Sequence, residues 1–305
     1  MDILELNVWK GDWGLPSVDV ECLQVLVYAK INGIPLKVNT SGNPFKTPNG
    51  KLPVLKSSIG TFDTAKAIIE YFRQQNYNAE YQLNGKQCAK VLAYDTMLKE
   101  KLFPALQFIW WLDERNVNDL IRPWYYRALP FPLNLYYPGK FERQAHVMFE
   151  TLYSVKDDIT VMENKVYSEA QKCLTLLSTS LGDLDYFLGT EPTVLDAIIY
   201  SYLAPLLKAP LPNPALQNHL KACTNLVQYI SRISERYFKD ECREYKTKEN
   251  VRDMRRYSEN EFPNKRRNQI FAGLFAALVM STYVFSTGIL EVNIFYAVQL
   301  ISLYI

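Results

Sequence analysis

Histidine is almost missing from this 305-residue chain, which holds only His146 and His219. That argues against a histidine-built metal cluster and against a His-dependent triad. The five cysteines (Cys22, Cys88, Cys173, Cys223, Cys242) are odd in number, far apart and without a CxxC pair. Their spacing speaks against a disulfide framework or a zinc site and for a reducing compartment. Net charge is only +2, so no whole-protein field favours nucleic acid, and none is expected as a partner. The opening MDILELNVWKGD lacks the basic start and apolar core of a signal peptide, and it is acidic and free of arginine, unlike a mitochondrial presequence. Neither a cofactor nor a metal site is expected.

What is present in quantity is apolar: 48% hydrophobic against 22% charged residues describes a globular protein with an ample core. Near the far end, Ile270 to Leu290 runs 21 residues without a charge. As a helix it would extend ~30 Å, about one hydrocarbon core. Lys265, Arg266 and Arg267 precede it, and no Lys or Arg follows it. The positive-inside bias then puts the bulk of the chain in the cytosol, held to a lipid bilayer by a tail anchor. Upstream, Lys239 to Arg267 carries 17 charges among 29 residues and reads as a solvated stalk.

The first eighty residues read as α/β. Ile3 to Trp9 suits a strand, Ser17 to Gly33 a capped helix, and Pro35 to Asn39 a second strand. GKLPVLKSSIGTF reads as a hairpin turning at Ser57 to Gly60, followed by a helix capped by Asp63 or Thr64. The order βαβ-ββα is that of a thioredoxin-like domain, with Pro53 before a strand where this fold uses a cis-proline. From about Asn84 the spacing is helical, with a kink predicted at Pro104. Thr193 and Asp196 form a T-x-x-D cap on a nearly uncharged helix that should be the centre of a helical domain. Four segments result: 1–80 thioredoxin-like, 81–238 helical, 239–267 stalk, and 268–305 membrane anchor and short tail.

The Arg122 to Phe141 stretch has seven aromatics and four prolines in 20 residues. The prolines predict irregular backbone. Arg122, Trp124, Tyr125, Tyr126, Phe131, Tyr136 and Tyr137 then read either as a partner surface or as rings packed on the helical domain.

The thioredoxin-like start, the Leu-Pro-Val turn and the T-x-x-D helix together resemble the glutathione-transferase fold. WGLPSVD (Trp13 to Asp19), NPFKTPNGKLPVL (Asn43 to Leu55), RPWYYRALPFPLNLYYPG (Arg122 to Gly139), CLTLLS (Cys173 to Ser178), LDAIIYSYLAPLLKAPLP (Leu195 to Pro212) and RRNQ (Arg266 to Gln269) are similar to those of the metaxins. The likeness runs in order from Leu6 to Leu290. It implies a mitochondrial outer-membrane protein facing the cytosol, acting in protein import and in assembly of outer-membrane β-barrel proteins. The implied partners are a second metaxin-like subunit, the β-barrel sorting and assembly machinery, and mitochondrial precursor proteins. On the transferase side, Ser17 stands where serine-type enzymes activate glutathione, and Pro53 with Asp63 and Thr64 where they hold it. Each has a plainer reading, Ser17 as an N-cap, Pro53 as a turn former, and Asp63–Thr64 as a cap. The expectation is a non-enzymatic adaptor; a membrane-tethered glutathione transferase and an adaptor for mitochondrial transport or dynamics are the alternatives.

Overall fold

The computed structural model describes residues 4–40, 47, 50–78, 83–153, 159–261 and 265–286. Two units divide the chain, Met1–Lys246 and Thr247–Ile305.

The first unit opens with strand β1 (Leu4–Asn7), helix α1 (Val20–Ile31) and strand β2 (Leu36–Asn39). Strands β3 (Val54–Ser57) and β4 (Gly60–Phe62) and helix α2 (Ala65–Gln74) follow. The four-stranded sheet has the order β2-β1-β3-β4. β1 runs parallel to β2, with Leu4 opposite Leu36, and antiparallel to β3, with Leu6 opposite Leu55. A parallel β1–β2 pair needs a crossover, and α1 supplies it. The Leu52–Pro53 bond is cis, as expected before β3. Thr64, rather than Asp63, caps α2: its Oγ1 accepts from the Ala67 N–H at 3.2 Å.

The helical part begins with α3 (Gly85–Met97), a π-helical turn (Leu98–Leu102) and α4 (Phe103–Trp111). Pro104 lies in the first turn of α4, where a missing N–H costs least, and the wide turn before it replaces the simple kink predicted there. Next come α5 (Glu114–Asn116), a second π-helical turn (Val117–Ile121), α6 (Arg122–Ala128) and α7 (Leu133–Leu152). The irregular backbone expected over Arg122 to Phe141 is therefore mostly helix. Pro123 sits in the first turn of α6, Pro130 and Pro132 fall in the link, and only Pro138 stands inside a helix.

The remaining helices of this part are α8 (Ile159–Leu181), α9 (Val194–Lys208), α10 (Ala215–Ala222) and α11 (Thr224–Tyr237). Every residue of α9 from Val194 to Leu206 is buried, as its uncharged sequence requires, and α1 packs along it. Asp196 is fully buried and accepts from the Thr193 N–H at 2.8 Å, the Thr193 hydroxyl at 3.0 Å and the Phe187 N–H at 3.1 Å. The T-x-x-D cap thus ties the start of α9 to the preceding loop.

Helix α12 (Lys239–Glu261) carries the charged segment. Its first turns belong to the body: Cys242 Sγ lies 3.4 Å from the Gly14 carbonyl, and the Lys208 ammonium donates to that same carbonyl at 3.2 Å. In the second unit, helix α13 (Lys265–Ser286) begins with Lys265, Arg266 and Arg267. Its side chains from Ile270 to Tyr283 are exposed, and the Ser281 and Thr282 hydroxyls bond back to the Ala277 and Leu278 carbonyls. Among the described residues no helix is long and apolar enough to cross a membrane. The span expected to run to Leu290 is thus met by helix only as far as Ser286; residues 287–290 lie outside the described residues.

Candidate functional site

The loop joining β1 to α1 is shaped by its small and polar residues. Gly11 is packed so closely that a Cβ there would meet the Leu15 carbonyl at 2.2 Å. Asp12 holds the turn: its Oδ1 accepts from the Trp13 N–H at 2.8 Å and its Oδ2 from the Trp124 indole at 3.1 Å. Trp13 and Gly14 both take positive φ, 55° and 72°.

Ser17 is not the helix cap. Helix α1 starts at Val20, and Asp19 caps it by accepting from the Cys22 N–H at 2.9 Å. Asp19 caps the helix because the loop brings its carboxyl oxygen, rather than the Ser17 hydroxyl, within reach of the Cys22 N–H of the first turn. The Ser17 hydroxyl is fully buried and accepts from the Asp19 N–H at 3.4 Å. Cys22 is equally buried, and burial followed by the Asp19 charge pushes its thiol well above the ordinary range. Neither group is presented as a nucleophile.

A cavity of about 880 Å³ lies between the sheet-bearing part and the helical part of the first unit. All five tryptophans of the chain line it: Trp9, Trp13, Trp110, Trp111 and Trp124. Trp13 stacks on Trp110 with centroids 5.9 Å apart and planes 6° from parallel. Tyr125 meets Trp124 edge-on at 4.9 Å and Trp9 at 5.6 Å. Asp19 lines the same wall, and enclosure by protein, reinforced by Glu21, pushes its carboxyl up to about 6.

Of the four residues expected to form a glutathione pocket, only Thr64 lines this cavity. Ser17 is fully buried and does not line it, Pro53 is buried beside Leu52, which does line it, and Asp63 is half-buried just before α2. Asp19, Trp110 and Trp111 line the cavity without having been marked as site residues by any motif in the sequence. The sequence signal was the Trp-Trp pair itself, which reads equally as core.

The seven residues of the expected partner surface divide. Trp124 and Tyr137 are buried and Tyr125 is half-buried in the ring cluster. Arg122 is engaged at home, its guanidinium bonding Glu142 at 2.8 Å and Asn118 at 2.9 Å. Tyr126, Phe131 and Tyr136 are exposed by 50%, 79% and 58%, and Leu135 joins them at 52%. These four exposed apolar side chains fall along the chain from α6 through the link into the start of α7.

A thioredoxin-like sheet with a cis-proline at β3, backed by a helical body built on a buried, Asp-capped central helix, defines a glutathione-transferase-like protein. A solved β-etherase, LigF from Sphingobium sp. strain SYK-6, shares the fold, with a TM-score of 0.53 over 80% of this chain and 99% of that one at 14% identity. Residues 170–233 match the C-terminal domain of glutathione S-transferases, and residues 22–142 match a family described as outer mitochondrial membrane transport complex proteins. Metaxin-1 of Macaca fascicularis is 40% identical over 95% of this chain and 92% of its own length. Metaxin-3 of Xenopus laevis is 42% identical over 77% of each. The chain belongs to the metaxin family.

Proposed function

We propose that this chain is a non-enzymatic adaptor of the mitochondrial outer membrane, with its bulk facing the cytosol. It acts in protein import and in the assembly of outer-membrane β-barrel proteins, binding a second metaxin-type subunit, the sorting and assembly machinery and precursor proteins. The observation that carries this reading is the 40% identity to metaxin-1 across 95% of the chain. Its mechanism is positional: confinement to a surface raises the effective concentration of the body near partners held there. The 268–305 segment serves as the anchor, and the exposed side chains of Tyr126, Phe131, Leu135 and Tyr136 are those offered to a partner.

The burial of Ser17, away from the cavity wall, supports a non-catalytic role over a membrane-tethered glutathione transferase. Two measurements test the reading. The full chain should resist alkaline extraction from mitochondria, and a chain truncated after Lys246 should be released. Retention on immobilised glutathione, with thiol conjugation abolished by Ser17→Ala, would instead establish the transferase.

A further inference from the structure

The charges around the tryptophan-lined cavity are unequally neutralised. Lys99 is paired with Asp95 at 2.7 Å, and Arg73 with Glu70 at 3.1 Å. Lys51, Lys66 and Glu21 line the cavity as exposed side chains in contact with solvent. Asp19 is different. Among the described residues it is the only charged group on this wall that is both half-buried and without an ion-pair partner. Its helix-capping bond to Cys22 offsets part of its desolvation but supplies no counter-charge.

The surrounding wall is aromatic. Trp13, Trp110, Trp124 and Tyr125 form a connected set, each ring within 6.3 Å of another by centroid. Aromatic faces attract cations, and Trp does so most strongly. A volume of about 880 Å³ falls within the range of pockets that take drug-sized ligands. The cations Lys51 and Lys66 on the lining are exposed to solvent, whereas an anion seated on the half-buried aromatic wall meets the unpaired Asp19 carboxylate; a neutral apolar molecule leaves that carboxylate uncompensated. A cation with an apolar body satisfies both parts of the wall.

We propose that this cavity binds a small organic cation, an ammonium or quaternary ammonium group on an apolar body, held by Asp19 and by the rings of Trp13, Trp110, Trp124 and Tyr125. This chemistry is opposite in sign to that of an anionic thiol peptide.

The tryptophans themselves supply the readout. The full chain, in a neutral sugar detergent, is titrated with benzyltrimethylammonium, benzyl alcohol and benzenesulfonate while intrinsic fluorescence is followed. The cation should give a saturable change at a concentration at least about tenfold below that needed for benzyl alcohol, and benzenesulfonate should be weaker than either. Asp19→Asn keeps a helix-capping acceptor. It should reduce affinity for the cation about tenfold while leaving benzyl alcohol unchanged. Trp110→Leu, which leaves the cap and carboxylate in place, should weaken the cation as well and serves if the Asp19 variant fails to fold. Equal affinity for the three probes, tighter binding of benzenesulfonate, or cation affinity unaltered in folded variants would overturn the proposal.

Discussion

Asp19 Oδ1 accepts the Cys22 backbone N–H at 2.9 Å, and this one contact sets the start of α1 two residues beyond Ser17. The carboxyl's value is raised from 3.8 to about 6, chiefly by burial, so the folded chain binds this proton more tightly than the unfolded chain does. The stabilisation is complete below about pH 4 and is lost as pH rises through about 6. The groups it faces are Glu21 on its own helix, the buried Cys22 thiol, and the neutral hydroxyls of Tyr125 on α6 and Tyr202 on α9. At about 1.4 kcal/mol per unit, Asp19→Asn should gain about 2 kcal/mol on the native chain between pH 4.5 and 7.5. Denaturant midpoints at the two pH values check this; a constant difference would contradict it.

Asp196 is the anchor of the helical part. Asp196→Ala strips acceptors from the Phe187 and Thr193 N–H groups and should cost about 3 kcal/mol, read as a lowered unfolding midpoint. Asp196→Asn, which keeps one acceptor, should cost less.

Gly14 takes φ of 72° where the first turns of α12 lie against it. A Cβ there would stand 3.5 Å from Cys242 Cα, an ordinary contact, so the penalty is in the backbone. Gly14→Ala should destabilise by about 1–2 kcal/mol, and Gly14→Asn by less, since Asn tolerates this conformation better. Thermal melts distinguish the two.

The aromatic segment should separate by burial. Trp124→Ala removes a buried ring and its bond to Asp12 and should cost about 3–5 kcal/mol. Phe131→Ser and Tyr136→Ser change exposed rings and should move stability by no more than about 0.5 kcal/mol, while weakening capture of a metaxin-type partner. Calorimetry beside pull-down from mitochondria tests both halves.

Much of this architecture was readable from local patterns. The βαβ-ββα order, the Thr193–Asp196 cap and the uncharged α9 follow from periodicity and capping chemistry, which are properties of neighbouring residues. The failures have a common cause. Ser17 and Asp19 are both good caps, and the choice between them depends on where the loop delivers the chain. The four prolines after Arg122 suggested irregular backbone, but two of them fall outside helices and one lies in a first turn that tolerates it. Which rings of that segment face inward depends on contacts with Trp9, Asp12 and Trp111, distant in sequence. The cavity is likewise assembled from separate elements, so no single motif announced it.

An outer-membrane adaptor working beside a second metaxin and the β-barrel assembly machinery, as proposed above, must lie within cross-linking reach of both. Cross-linking on intact mitochondria, with the linked proteins identified by mass spectrometry, tests this role most directly. Adducts to a metaxin-type chain and to assembly-machinery subunits are expected, reduced when Phe131 and Tyr136 are replaced by serine. A cross-linked set that contains no import or assembly subunit would contradict that role.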